Sequence, residues 1–573
     1  MNHNPFMLKN KAAALLLLMA ALTTVAAACG DDAQDIAADD EQIFIKPDGD
    51  GSWILVDQIH TTKQNPDLKL ERNNYRYQGM HGYHRLFKHF ERNGYPYSQI
   101  NYTGSERLTP EVLDGFKVLF INLVSSDRPD FTQDEITTII EWVRGGGGLF
   151  MIADHTNVYY HAQRINPFLE PMGIKVTYHT ALDQSPQYAI PGGAWLKIQN
   201  WDTSHPVSQG LEIASFQTGG PVESEHGVGF LSDGGFGDFW IENPEDPGFY
   251  GNWSRDEGEP EGALPVVAAA QFGQGRVAVV GDQNIFGDEW VMVAHNRELA
   301  SNIVEWLAGN EGNPDALRDQ RDPSKLHVGF PIKQADWNIG LNYCAAYFPF
   351  FINFNRTPDI VARGSLEMTG REDVMVFTDP SGTFTDAELA TVQTQLDEGK
   401  TIVIVTDVTR SRAGTVQLLK EFVPDFAFQG IDGTNLTADN LPALEDVVET
   451  VVSQDAFPIS SDTLQIEGMK MAGHQYPSGV RCPDGIEDSE PYMRRVTASF
   501  GTPFLQATLP DNSTVDLARR LTLPSGGQVI VFLQDGFWRN ETLGKERQSP
   551  TPATADSHKI EYVFLDWLVE QKK

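Results

Sequence analysis

The stretch FTQDEITTIIEWVRGGGGLFMIAD, residues 131–154, decides how the chain is built, because FTDAELATVQTQLDEGKTIVIVTD repeats its pattern at 384–407. The lag is 253 residues. In each copy a Thr-x-x-Glu (Thr132 to Glu135, Thr385 to Glu388) precedes an apolar-periodic run, the signature of a capping box that opens a helix. Ile136, Ile139, Ile140 and Val143 form the inward face of the first helix, and Leu389, Val392 and Leu396 that of the second. Arg144-Gly145 and Glu398-Gly399 close them, where glycine suits a left-handed C-cap. An apolar strand follows each time, ending in Asp154 and in Asp407.

Working outward, the repetition continues. A later strand, Arg276 to Gly281, runs into Asp282, and Val529 to Gln534 runs into Asp535 at the same lag. Closing helices follow at Asn302–Leu307 and Tyr562–Leu568, with about eight extra residues near Gly544–Thr551 in the second copy. Such coincidences imply a tandem duplication. Near-continuous apolar strands bounded by helices predict a mostly parallel sheet with helices on both faces, an α/β class. The first copy reads as strand Trp53–Asp57, helix His84–Arg92, strands Tyr97–Asn101 and Val118–Val124, the capped helix, and the Asp154 strand. Beyond Gly173 it becomes turn-rich, with an acidic loop at Glu242–Glu261. Strands resume at Val266–Gln271 and Arg276–Asp282. The aromatic run Tyr347–Phe351 reads as a buried first helix of copy two, matching Tyr83–Phe90. The expected domains are 46–308 and 326–573, joined by a linker at 309–325 rich in Asn, Asp, Pro and Arg.

The amino-terminal segment reads as an address. Lys9 and Lys11 precede an apolar core, Ala12–Leu22, too short to span a bilayer. Val25-Ala26-Ala27-Ala28 before Cys29 resembles the lipobox of bacterial lipoproteins, which implies removal of residues 1–28 and lipidation of Cys29. Residues 29–45 hold too few large apolar side chains to fold and read as an acidic tether. The expected location is the cell envelope, at the periplasmic face of the outer membrane or the cell surface, with the lipid as membrane anchor. A formal charge of −36 argues against nucleic acid or anionic lipid as partner. Cys344 and Cys482 are far apart in sequence and do not by themselves establish a disulfide.

The order of strands and helices, the glycine run before the Asp154 strand, the Phe272-Gly273-Gln274-Gly275-Arg276-Val277 hairpin and the Gly281-Asp282 strand end resemble the DUF4350-type branch of class I glutamine amidotransferase-like domains. The resemblance covers most of 50–308 and extends faintly over 326–570. It implies two tandem flavodoxin-like domains. True class I amidotransferases carry a nucleophilic cysteine at the turn that here reads Ala153-Asp154-His155-Thr156, and Thr406-Asp407-Val408-Thr409 in copy two. Neither turn has one. Without a thiolate there is no acyl-enzyme step.

Chemistry in open α/β sheets gathers beyond the carboxyl ends of strands. Asp57, Asp154 and Asp282 are expected there, with His60, His81, His155 and His161 near the same rim and Glu223, Glu225 and His226 arriving from the irregular stretch. Ten of the 14 histidines fall between His60 and His295, so a working site belongs to copy one. Two chemistries are open. Asp154 and His155 could act as a catalytic base pair, or His81, Asp154, His155 and Asp282 could converge on a divalent metal that activates water. Alternatively these aspartates cap loops and the histidines are satisfied loop residues. Gly145–Gly148 follows a helix rather than preceding one, and so reads as a helix end, not a phosphate cradle. Lys46–Gly51 lacks the final Glu of a calcium loop and reads as a polar turn. The leading expectation is an envelope lipoprotein of two catalytically silent domains. Asp57, His81, His226 and Asp282 would bind a small polar ligand, a glycan or a protein partner. The rivals are a metal-dependent or Asp/His-assisted hydrolase in copy one, and a structural component of an envelope complex.

Overall fold

A computed structural model describes residues 53–61, 83–185, 189–190, 195–240, 251–287, 290–310, 323–332, 348–357, 359–380, 382–406, 412–430, 445–446, 450–452, 470–471, 492–493, 496–508, 514–533, 538 and 552–572. Cys29, Lys46–Gly51, His81, Cys344, Asp407, Cys482 and Asp535 lie outside them. The chain forms two compact units. One takes the described residues of 53–61, 87–285 and 298–310. The other takes those of 83–86, 286–297 and 323–572, so residues 286–297, read from sequence as part of the first copy, group with the second unit.

The first unit is built on an eight-stranded sheet. Its strands are β1 (Ile54–Gln58), β2 (Tyr97–Asn101), β3 (Val118–Ile121), β4 (Gly148–Ile152), β6 (Asn200–Trp201), β7 (Gly227–Phe230), β9 (Pro265–Phe272) and β10 (Gly275–Val280). The order is β2-β1-β3-β4-β10-β9-β7-β6. The first five are mutually parallel and the last three antiparallel. Helices α1 (His84–Arg92), α2 (Gln133–Arg144), α3 (His161–Leu169) and α4 (Asn296–Leu307) complete the frame. Every residue of β3 and β4 is buried, as a sheet covered on both faces requires. Alternation divides them. Leu119, Ile121, Leu149 and Met151 join a core with Ile139 and Val143 of α2 and with Ile165 and Phe168 of α3. Phe120 and Phe150 point the other way, in an edge-to-face chain with Phe87 at ring separations of 5.1 Å.

Both capping boxes form. Thr132 accepts from Glu135 N at 3.2 Å while Glu135 Oε2 accepts from Thr132 N at 2.9 Å. Thr385 and Glu388 repeat this at 3.3 and 2.8 Å, opening α6 (Asp386–Asp397). The first helix end differs from expectation: Gly145 keeps a right-handed φ of −80°, and the positive φ, +120°, falls on Gly146. The reason is packing of the next two glycines. A Cβ on Gly147 would lie 2.4 Å from the Trp142 ring, and one on Gly148 2.8 Å from Leu307. All four amides of this run donate to backbone carbonyls, which leaves none for a phosphate. In the second unit the left-handed residue is Gly399, at φ +83°, as read.

The second unit repeats the sheet. Its strands are β11 (Leu326–Pro331), β12 (Ile360–Ser365), β13 (Val374–Thr378), β14 (Thr401–Val405), β15 (Thr450–Val452), β16 (Lys470–Met471), β17 (Thr502–Thr508), β18 (Thr514–Thr522) and β19 (Gln528–Phe532). They run β12-β11-β13-β14-β19-β18-β17-β15-β16, again five parallel and then antiparallel. Helix α5 (Phe348–Arg356) buries Phe350, Phe351 and Phe354 completely, as its aromatic run predicts. Helices α7 (Ala413–Phe422) and α8 (Pro552–Lys572) follow.

Candidate functional site

At the end of β1, Asp57 and His60 are fully buried. Asp57 Oδ1 accepts Ile59 N at 2.8 Å, which curls the chain back so that His60 Nδ1 meets Asp57 Oδ2 at 2.8 Å. The ring stacks on Phe131 at 3.7 Å, and its Nε2 lies 3.5 Å from Glu135. Burial opposes charge on His60, but Asp57 and Glu135 outweigh it and hold the imidazolium up to about 9. Glu135 is held down to about 2. Its own burial works against this, and His60 together with the amides of Thr132 and Leu108 prevails. From sequence, Glu135 appears only as a cap; here it also closes an Asp–His–Glu ion triad. That triad ties β1 to α2 and offers no exposed atom to a ligand.

At the end of β4 the backbone is strained. Thr156, Tyr159 and Tyr160 all adopt positive φ, between 50° and 57°. Such angles cost roughly 1–3 kcal/mol each in non-glycine residues. The turn is held by His161, whose Nδ1 donates to Val158 O at 2.8 Å and whose Nε2 accepts Asp154 N at 3.2 Å. That pattern fixes a neutral imidazole, consistent with burial pushing His161 down to about 4. His155 Nδ1 lies 3.0 Å from Thr156 Oγ1, a hydroxyl–imidazole pair in the turn after β4. Thr156, however, is 0% exposed. Burial, reinforced by His161, pushes His155 down to about 3. Asp154 accepts the next amide, His155 N, at 2.7 Å.

Asp282, at the end of β10, is likewise consumed. Its two oxygens accept Gln217 N at 2.6 Å and Asn284 N at 2.8 Å, and burial raises its carboxyl to about 7. Between Asp282 and Asp154 runs Gly219-Gly220. Gly220 N donates to Gly281 O at 2.7 Å. A Cβ on Gly219 would meet Gly281 O at 2.7 Å, and one on Gly220 would meet Asp154 O at 2.8 Å. Only glycine permits this approach, which packs the Gly219-Gly220 backbone directly against the ends of β4 and β10. Among the described residues no three His, Cys, Asp or Glu side chains are placed to hold a metal ion. His226 is exposed and off the rim: its carbonyl accepts from Ala269, which pairs with Ala278 in mid-strand. Glu223 and Glu225 are exposed beside it. In the second unit Asp379, after β13, accepts Thr415 Oγ1 at 2.8 Å and pairs with Arg412 at 3.1 Å.

The rim is open farther along. Strand β5 (His179–Asp183) pairs with β8 (Gly235–Phe239) in a separate two-stranded sheet, and a cleft of about 730 Å³ opens beside Asp183. Gln184 and Ser185 form one wall, and Ser232, Asp233 and Gly234 the facing one. Asn200 and Arg255 complete it. Asn200 pairs with Phe230, Phe230 with Pro265, and Val267 with Val280, so the cleft shares the sheet end of Asp282. These residues lie in the turn-rich stretch beyond Gly173, where no periodicity marks them.

Residues 80–304 match the family model described as a domain of unknown function, DUF4350. Of the three strand-end aspartates, Asp154 and Asp282 fall inside the matched residues and Asp57 outside them. None of the curated proteins matches the chain. Among solved structures, the mmIFT52 N-terminal domain is 16% identical, with 45% of this chain and 97% of that one covered, at a TM-score of 0.32. A ThuA-like protein from Bacteroides uniformis is 12% identical, covering 45% and 92%, at 0.27. A cold-adapted beta-galactosidase from Rahnella sp. R3 is 12% identical, covering 41% and 30%, at 0.23.

Proposed function

We propose that the chain is an envelope lipoprotein, anchored through Cys29, made of two tandem flavodoxin-like domains of the amidotransferase-like class. Neither domain performs amidotransfer. The first binds a small polar ligand at its carboxyl rim. The observation that carries this reading is the Gly219-Gly220 backbone lodged between Asp154 and Asp282. It packs between those strand ends, while Asp154, His161 and Asp282 are engaged in hydrogen bonds that hold the fold. Asp282 holds two amides, Asp154 holds one, and His161 holds the turn. A site so closed favours recognition at the open part of the rim over catalysis at the strand ends.

The test is elemental mass spectrometry of the full chain purified without chelators, beside Asp154→Asn and His155→Ala. The binding reading expects no stoichiometric zinc, manganese or iron, and lowered melting temperatures in the variants. Near-stoichiometric metal that disappears in either variant would overturn it in favour of the hydrolase.

A further inference from the structure

We propose that the cleft between Gln184-Ser185 and Ser232-Asp233-Gly234 is a preformed site for an uncharged, hydroxyl-rich ligand of oligosaccharide size. This rests on the reading of the first domain as a binding module and names the ligand class that module takes.

The cleft is rigid at its base. Asp183 is 1% exposed, and its carboxylate accepts Ser185 N at 2.9 Å and Ser232 N at 3.0 Å, so one buried side chain locks both walls. Ser232 Oγ then accepts Gly234 N at 3.1 Å, and Asn200 Nδ2 donates to Leu231 O at 3.2 Å. Walls fixed before the ligand arrives cost little entropy on binding.

Its size falls within the roughly 300–1,000 Å³ of small-molecule sites. Its chemistry is selective. Among the described residues the lining has no apolar side chain, which disfavours lipids and aromatic compounds. The one cation among the described lining residues, Arg255, is paired with Glu261 at 2.7 Å and faces a site that also holds Asp233, so an anion finds no net attraction. A lone exposed carboxylate does not make a cation site. What remains is a set of amides, hydroxyls and one carboxylate, which both donate and accept hydrogen bonds. Vicinal hydroxyls require that mixture, because each is donor and acceptor at once.

Gly234 provides the test. A Cβ there meets Asp183 Oδ1 and Ser232 Oγ at 3.5 Å, ordinary contact, so Gly234→Leu plugs the cleft without forcing the backbone. The full chain would be titrated calorimetrically with maltose, cellobiose and N,N′-diacetylchitobiose, with inorganic phosphate as the charged probe. At least one saccharide is expected to bind saturably, at least tenfold more weakly in Gly234→Leu and several-fold more weakly in Gln184→Ala, with melting temperatures unchanged. Saccharide binding equal in all three proteins would overturn the cleft as the site while sparing the binding function. Phosphate binding that Gly234→Leu abolishes would overturn the uncharged class. If no saccharide binds at millimolar concentration the inference fails, and the metal analysis decides the wider reading separately.

Discussion

His60 is the side chain whose role can be weighed most directly. It is 0% exposed between two carboxylates, and its folded pKa of about 9 stands above the ordinary 6.5. That gap corresponds to about 3 kcal/mol at 1.36 kcal/mol per unit. A raised folded pKa gives a contribution that is complete below the unfolded value and fades as pH rises through the folded one. Replacing His60 by Leu keeps the packing on Phe131 but leaves Asp57 buried without its cation and Glu135 with only Arg107 Nε at 3.9 Å, a loss on the order of 3 kcal/mol. The difference between wild type and His60→Leu in urea unfolding should therefore be largest at and below pH 6.5 and shrink toward pH 9. A difference that stays flat across this range would mean the imidazolium is not what the triad holds. Glu135 has the opposite sign: its pKa near 2 makes its contribution present above about 4.5 and lost as pH falls toward 2.

At the scale of elements, the two capped helices form a controlled comparison. Each N-cap threonine satisfies a first-turn amide, worth about 1 kcal/mol on replacement by alanine. Thr385→Ala should cost about that much, since Glu388 is only half-buried and its carboxylate serves its own cap. Thr132→Ala should cost more. Glu135 also accepts Leu108 N and faces His60, so loosening the cap releases a carboxylate that three elements share. Chemical denaturation of both single variants measures the difference, and equal costs would refute the shared role of Glu135. These helices, with the strands they feed, were the legible part of the fold. Capping boxes and apolar runs are local, and the 253-residue lag doubled each signal. The sealing loop was not legible, because Gly219-Gly220 declares its purpose only against Gly281, Asp282 and Asp154, which approach from distant segments. Asp57, Asp154 and Asp282 stand at strand ends, but the sequence alone leaves their role ambiguous. Whether a carboxylate caps or catalyses depends on which amides reach it, and Gln217 N comes from 65 residues away. The cleft was hidden for the same reason: Asn200, Ser232 and Gln184 share no period.

For the molecule as a whole, charge and anchorage constrain each other. Among the described residues, a sheet of eight strands and one of nine each back an apolar core of their own. Among the described residues no helix is long and apolar enough to cross a membrane. A chain of net charge −36 is repelled by anionic lipid rather than drawn to it, so electrostatics cannot hold it at a bilayer. Membrane attachment under the proposed reading thus falls to the acyl chains at Cys29, each buried CH₂ contributing about 0.8 kcal/mol. Two consequences separate this from attachment through a partner protein. Wild type should stay in the membrane fraction in about 1 M NaCl, where the Debye length shrinks to about 3 Å and ionic contacts are screened, and leave it only with detergent. Cys29→Ala should appear in the soluble fraction at any salt concentration. Fractionation followed by immunoblotting reads both. A Cys29→Ala protein that still sediments with membranes, and is released by salt, would replace the lipid anchor with an ionic contact to another envelope protein. The acidic surface would then be an attachment surface rather than a solvating one.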